Sequence, residues 1–268
     1  MSMSAQVTLV FVLTFIIHLI ATLSYALRIA GVRTGRIAVS FALSNVLLLV
    51  SRTANTFQEP LLAKHVERKI LQGTMSGVES DFRWLLLAST LATLVGLFLI
   101  PTFQRLFAKA IESLGTYRSV PRLLLHGLSP SGFRHIWTAA AMPAKENITG
   151  LSLRHMPRGI LISQMLCTAL LTVGVFASLY AGYLKPELRV TANNLSPVVN
   201  GLSTILLFVF IDPYLSLFTD DVVAGKTAEA HFRRCVVLFV ASRFIGTVMA
   251  QLILVPAARM IAVVAELL

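Results

Sequence analysis

Residues 7–27 read VTLVFVLTFIIHLIATLSYAL and contain no Lys, Arg, Asp or Glu. A helix of about 20 apolar residues crosses the roughly 30 Å hydrocarbon core of a bilayer. This run therefore predicts a membrane-spanning helix, and five similar runs follow it along the chain. The six predicted spans are 7–27, 37–57, 84–103, 160–184, 195–218 and 236–255.

The composition of the whole chain agrees with this prediction. Of its 268 residues, 56% are hydrophobic and 13% are charged, and the mean hydropathy is +0.79. Soluble domains carry about 25% charged residues, so a soluble globular enzyme, a disordered protein and a secreted disulfide scaffold are excluded. We expect an all-α integral membrane protein in which residues 1–268 form a single polytopic domain. Cys167 and Cys235 belong to no CxxC pair, so neither a metal nor a cofactor is expected.

The basic residues predict the orientation of the spans. The net charge is +11, and Lys and Arg collect in cytoplasmic loops and near anionic lipid headgroups, which explains the excess without nucleic acid. Loops one, three and five hold 14 Lys and Arg residues, and the opposite side holds seven. The N- and C-termini are therefore predicted to lie outside the cell, with loops one, three and five in the cytoplasm.

Two loops carry helix signals of their own. In the long cytoplasmic segment 104–158, apolar residues recur at helical spacing over 103–114, where the third span continues past Pro101, and again over 133–141. Both stripes predict amphipathic interfacial helices in the headgroup region, or otherwise amphipathic surface packed on the bundle. In the second loop, Pro60 predicts the first turn of a separate helix and Gly73 predicts its end.

Small residues recur four positions apart in the spans, which lets helix backbones approach closely. Ser242, Gly246 and Ala250 form one such series, and Gly174, Ser178 and Gly182 form another. Packing within one chain is the favoured interpretation, and a contact between subunits is the other.

Charged residues inside the spans are the main candidates for function, because an Arg or Asp at a span centre costs roughly 2.5–3.5 kcal/mol. Arg52 and Asn55 share a face of the second span. Arg52 can bind phosphate through two donors. Alternatively, it forms a structural ion pair or reaches the outer headgroups. Asp212 and Arg243 lie about 9 and 12 Å below the inner interface, counted at about 1.5 Å per residue. Since their spans are adjacent and antiparallel, these two could pair, either in transport or only to dock two helices.

Further polar residues extend this series to other depths. His18 lies near the middle of the first span and either titrates or packs, and Gln251 lies in the outer part of the sixth span. Asp220 and Asp221 end the fifth span, where they could bind a cation or an amine or form a solvated helix end. Arg28 and Arg33 lie at the inner mouth. A passage for a charged headgroup is expected to have polar groups at every depth of the membrane. The sequence contains no HExxH, GxSxG or P-loop motif that would indicate an enzyme.

Several motifs together resemble those of the Amj family of bacterial lipid II flippases. They are Thr22-Leu23-Ser24-Tyr25, residues 28–34, residues 51–55, Ile211-Asp212-Pro213-Tyr214, Thr219-Asp220-Asp221 and Ser242-Arg243. The resemblance covers essentially the whole chain. It implies a transporter that moves undecaprenyl-pyrophosphate-linked peptidoglycan precursor from the inner to the outer leaflet of the bacterial cytoplasmic membrane, in place of the unrelated flippase MurJ.

For a lipid II flippase, the depth and charge of the polar residues suggest a role for each of them. Arg28 and Arg33 would capture the pyrophosphate, Arg52 and Arg243 would hold it in transit or alternate with acids as internal partners, and Asp212 and His18 would tune its release or couple protons. Asn55, Gln251, Asp220 and Asp221 complete the predicted transport set. Six spans are few for enclosing such a headgroup, so a homodimer is expected.

Two other functions remain open from the sequence. The first is a membrane enzyme acting on a polyprenyl-phosphate lipid, with a divalent cation at Asp220 and Asp221. The second is a non-transporting scaffold of the cell-wall machinery.

Overall fold

The computed structural model describes residues 5–73, 77–117, 141 and 156–268. All regular elements in these ranges are helices, and six helical segments are long and apolar enough to cross a membrane. For these residues, the prediction of an all-helical fold with six helices able to span a membrane is therefore confirmed. The second predicted interfacial stripe covers residues 133–141, and of these the structure describes only residue 141.

The helices are longer than the predicted spans, and the fifth span is divided. In chain order the elements are α1 (Ala5–Thr34), α2 (Ile37–Leu71), α3 (Val78–Tyr117), α4 (Arg158–Leu184), a 3-10 turn (Pro186–Leu188), α5 (Arg189–Asn194), α6 (Ser196–Leu206), a π-helical turn (Leu207–Ile211), α7 (Asp212–Val223) and α8 (Glu229–Leu267). The most extensive packing joins α1 with α3, α4 with α8, and α1 with α2.

The second loop does not begin a new helix at Pro60, which corrects the prediction. Pro60 lies inside α2, which continues to Leu71. The segment beyond Pro60 buries Leu62, and the Nε2 atom of His65 lies 2.8 Å from the Asp81 carboxylate of α3. These contacts stabilise the continuation against the hydrogen bond lost at Pro60. Gly73, at φ +61°, terminates the segment as expected.

The third span continues past Pro101 to Tyr117, as predicted. Its apolar stripe does not lie free at an interface, however. Ile111 is fully buried and forms one cluster with Leu27 of α1 and Leu43 of α2. This contact supports the alternative interpretation, packing on the bundle, and a position of the helix in the headgroup region stays a prediction.

Small residues bring the helices together within this chain. A Cβ atom on Gly246 of α8 would lie 2.6 Å from the Met165 carbonyl oxygen of α4, and one on Gly96 of α3 would lie 2.7 Å from the Thr22 side chain of α1. Only glycine permits such separations.

Outside the spans, Lys185 donates a hydrogen bond at 2.7 Å to Glu266, which raises the pKa of the lysine and joins the ends of α4 and α8.

The fifth span changes its helical geometry just before Asp212. The Asp212 N–H donates to the carbonyl of Leu207, five residues earlier, so the turn between them is π-helical. Pro213 follows and supplies no N–H to the preceding turn. A single π turn inside a helix is uncommon and often occurs at functional sites.

Candidate functional site

Arg28 of α1 and Asp212 of α7 form an ion pair between the first and fifth spans. The Nη2 atom of Arg28 donates a hydrogen bond to Oδ1 of Asp212 at 2.8 Å. The predicted pairing of Asp212 with Arg243 is therefore wrong. Adjacency of two spans along the chain does not determine which of their faces meet, and α7 contacts both α1 and α8.

Arg28 also contacts the second span. Its guanidinium carbon lies 5.3 Å from the centroid of the Phe41 ring of α2, a cation–π distance. Its Nη1 atom is buried and has no hydrogen-bond partner among the described residues. One arginine therefore joins three spans while part of its hydrogen-bonding capacity remains unused.

Arg243 of α8 is a second cation in the same region. Its Nε atom is buried and makes no hydrogen bond within the described ranges, and no acidic side chain there forms an ion pair with it. Its charge interacts with His18 and Tyr25 of α1 and with Cys167 of α4. An uncompensated guanidinium at membrane depth is costly, which makes Arg243 a strong candidate for binding an anion.

His18 is buried deeper along α1. Its Nδ1 atom has no hydrogen-bond partner in the described part of the chain. The neighbouring hydroxyl of Thr22 does not supply one, because it donates at 2.8 Å to the backbone carbonyl of His18 itself. His18 therefore adds another unsatisfied polar group within range of the Arg243 charge.

We call His18, Tyr25, Arg28, Asp212 and Arg243 the arginine cluster. Tyr25 interacts with the charges of Arg28, Arg243 and Asp212. The cluster contains two permanent cations and one acid, so it favours anions. Guanidinium groups bind carboxylates and phosphates through two parallel hydrogen bonds.

Aromatic rings pack beside the cluster. The Tyr25 ring stacks on Phe239 of α8 at 6.4 Å, and the Tyr214 ring of α7 lies 6.2 Å from Phe239. Sequence reasoning did not name Tyr25 or Phe41 as site residues. Tyr25 lies three residues before Arg28, a helical spacing that could have indicated it, whereas the contact with Phe41 depends on how α1 and α2 pack.

The remaining basic candidates lie away from the arginine cluster. Arg33 is exposed near the end of α1, and Arg52 and Asn55 are exposed on one face of α2. Arg52 is 15 residues into α2, which corresponds to about 22 Å of helix. These three residues can contact lipid or headgroups, but they share no contact with Asp212 or Arg243 that the structure shows.

The other acidic and amide candidates make local contacts. Asp220 is exposed, and Asp221 lies 3.7 Å from Lys226. Gln251 donates from Nε2 to the Arg83 carbonyl at 2.9 Å, and Arg83 donates from Nη1 to the Gln251 carbonyl at 3.1 Å. Gln251 therefore docks α8 on α3 and is not part of the arginine cluster. Within the described ranges, no group of three or more His, Cys, Asp and Glu residues is arranged to hold a metal ion.

Comparison with known proteins gives matches over almost the whole chain. The protein-family model described as "Amj: Alternate to MurJ" matches residues 13–265. A protein of Bacillus subtilis (strain 168), named lipid II flippase Amj, is 37% identical over 260 residues, which cover 97% of this chain and 96% of that relative. No solved structure matches.

Proposed function

The chain belongs to the Amj family, and from this membership we infer that it is a lipid II flippase, a multi-pass transporter and not an enzyme. Its substrate is the undecaprenyl-pyrophosphate-linked disaccharide peptide, which it moves from the inner to the outer leaflet of the bacterial cytoplasmic membrane. The observation that carries this proposal beyond the family is the arginine cluster, because each of its two cations has a buried donor without a partner among the described residues.

We assign the pyrophosphate to Arg28 and Arg243. The Nη1 atom of Arg28 and the Nε atom of Arg243 are buried donors without partners among the described residues. A diphosphate offers several acceptor oxygens and more than one negative charge, so it can engage both guanidinium groups at once. Binding would satisfy these donors and offset the electrostatic cost of keeping Arg243 unpaired.

Access from the side suits a lipid substrate. In the described chain, α2 packs most extensively on α1 and makes no extensive contact with α6 or α7. The undecaprenyl tail can then remain in the bilayer while the headgroup passes the arginine cluster. Arg33 at the end of α1 and Arg52 with Asn55 on α2 are proposed to contact the headgroup before and after this position.

Three further features are part of the proposal. The orientation places both termini outside, since Lys and Arg favour loops one, three and five. Segment 104–158 then lies at the cytoplasmic side. We also propose a homodimer, because six spans enclose little space for a disaccharide-peptide headgroup; single-molecule photobleaching in liposomes would show two bleaching steps.

The test is translocation of fluorescent lipid II in proteoliposomes containing the purified protein. Arg243→Ala should lower the rate at least about tenfold, because about 1.4 kcal/mol of lost charge-assisted binding corresponds to that factor. Arg259→Ala is the matched control, since Arg259 lies on the same helix but is exposed. An inactive wild-type protein would refute the flippase assignment, and wild-type rates in a folded Arg243→Ala protein would remove Arg243 from the mechanism.

Mass spectrometry of the same liposomes tests the chemistry. A flippase returns lipid II unchanged in mass. A chemically altered lipid would instead support an enzyme acting on the polyprenyl-phosphate group.

A further inference from the structure

Arg28 uses only part of its binding capacity in this structure. Its Nη2 atom contacts one oxygen of Asp212, while its Nη1 atom is buried without a partner among the described residues. Arginine remains charged at all physiological pH values. Arg28 therefore needs an anion nearby at all times, including when no substrate is bound.

We propose that Asp212 is an exchangeable internal anion, which occupies Arg28 in the empty protein and gives way to the diphosphate of the lipid substrate. This inference rests on the proposed flippase function, and it adds the step by which the headgroup enters and leaves. A carboxylate and a phosphate bind guanidinium with the same geometry, so each can replace the other while Arg28 remains paired throughout.

Charge and tethering decide which anion occupies Arg28. A diphosphate near both Arg28 and Arg243 interacts with two cations, whereas the Asp212 carboxylate forms an ion pair only with Arg28 among the described residues. The diphosphate therefore displaces the carboxylate while it is close to both. When the headgroup moves away from Arg243, Asp212 regains the advantage, because it is tethered beside Arg28 at high effective concentration.

The position of Asp212 suits such an exchange. Its side chain is 31% exposed, against 17% for Arg28, so the carboxylate can move without disrupting the core. It directly follows the π turn Leu207–Ile211 and precedes Pro213, where the regular helical hydrogen bonds are interrupted. The acid therefore lies at an irregular point of the fifth span, and its partner lies on the continuous helix α1.

The experiment measures binding of farnesyl diphosphate to the full chain in nanodiscs. Asp212→Asn removes the competing charge with little change in shape. We expect it to bind about three- to tenfold more tightly, because an ion pair that costs about 0.7–1.4 kcal/mol to displace is absent. We also expect Asp212→Asn to translocate lipid II more slowly, because nothing displaces the bound headgroup. Glu67→Gln is the control, since it removes one carboxylate charge from an exposed position of α2 that has no proposed role in transport.

Further probes identify the source of the anion. Inorganic diphosphate should show the same gain in affinity as farnesyl diphosphate. Phosphatidylglycerol, with one charged phosphate, should show little gain; an equal gain would refute selection for a diphosphate. If Asp212→Asn does not fold, Asp212→Glu replaces it, and its affinity should not exceed that of the wild type, because a longer carboxylate still competes.

Failure of this inference is distinguishable from failure of the proposed function. Unchanged or weaker diphosphate binding by a folded Asp212→Asn protein refutes the exchange, even if the wild type translocates lipid II. Tighter binding combined with an inactive wild type supports the exchange and refutes the flippase function.

Discussion

Replacement of Gly246 by alanine tests whether α4 and α8 are packed as closely as the structure shows. The added Cβ would lie 2.6 Å from the Met165 carbonyl oxygen, 2.8 Å from Cβ of Thr168 and 3.3 Å from the Ala169 nitrogen. Two of these three atoms belong to the α4 backbone. The clash cannot be relieved by a change of rotamer, so one helix must move.

Two opposing effects determine how much Gly246→Ala changes the free energy of unfolding. Overpacking of a close contact costs about 1–3 kcal/mol, and alanine is favoured over glycine in a helix by about 0.8–1 kcal/mol. Because backbone atoms are involved, the first term lies near its upper limit, so Gly246→Ala should reduce the free energy of unfolding by about 1–2 kcal/mol. Gly201 of α6 has no atom within 4 Å of an added Cβ, so Gly201→Ala should stabilise the protein by about 0.5–1 kcal/mol.

The assay is thermal unfolding of both purified variants in the same detergent. The expected difference between the two variants, about 1.5–3 kcal/mol, corresponds to a separation in Tm of roughly 3–12 °C for a chain of this size. Gly246 also lies three residues from Arg243, so a movement of α8 should lower the rate of lipid II translocation. If Gly246→Ala melts at or above the temperature of Gly201→Ala, the close packing is wrong.

Three smaller predictions concern single side chains. Gln251→Leu removes the hydrogen bond to the Arg83 carbonyl, so it should cost about 0.5–1.5 kcal/mol in thermal unfolding and leave translocation unchanged; a transport defect without a loss of stability would place Gln251 in the route. Ser40→Ala removes a buried 2.6 Å hydrogen bond to the Leu27 carbonyl and should cost about 1 kcal/mol, whereas an unchanged Tm would contradict this contact between α1 and α2. Arg52→Ala alters an exposed side chain, so it should leave the Tm unchanged and slow translocation several-fold; a wild-type rate would exclude Arg52 from the route.

Much of the fold was predictable because its cause is local. In a bilayer every backbone polar group needs a partner, so each long apolar run must form a helix. Runs such as 7–27 therefore indicated six spans without knowledge of their neighbours. The close approach of α8 to α4 at Gly246 was also predictable from the sequence, since a glycine in a series of small residues indicates a backbone contact.

The candidate site was predictable in its residue types and less so in its arrangement. Asp212 and Arg243 were identifiable because a charge in an apolar run is costly and needs a reason, and Arg28 because it directly follows the first span at the inner mouth. Their assignment to substrate binding stays a prediction. Gln251 was named for the same reason, and the structure shows it docking α8 on α3.

The partners of these charges could not be read from the chain. Asp212 contacts Arg28, 184 positions away, although Arg243 is far closer along the sequence. The helical continuation of α2 past Pro60 likewise depends on contacts with α3. Such pairings follow from the rotation of each helix about its axis, which the summed contacts with all neighbouring helices determine. Hydropathy and spacing specify which segments enter the membrane, but they do not determine the rotation of each helix, because that rotation depends on contacts with all the other helices.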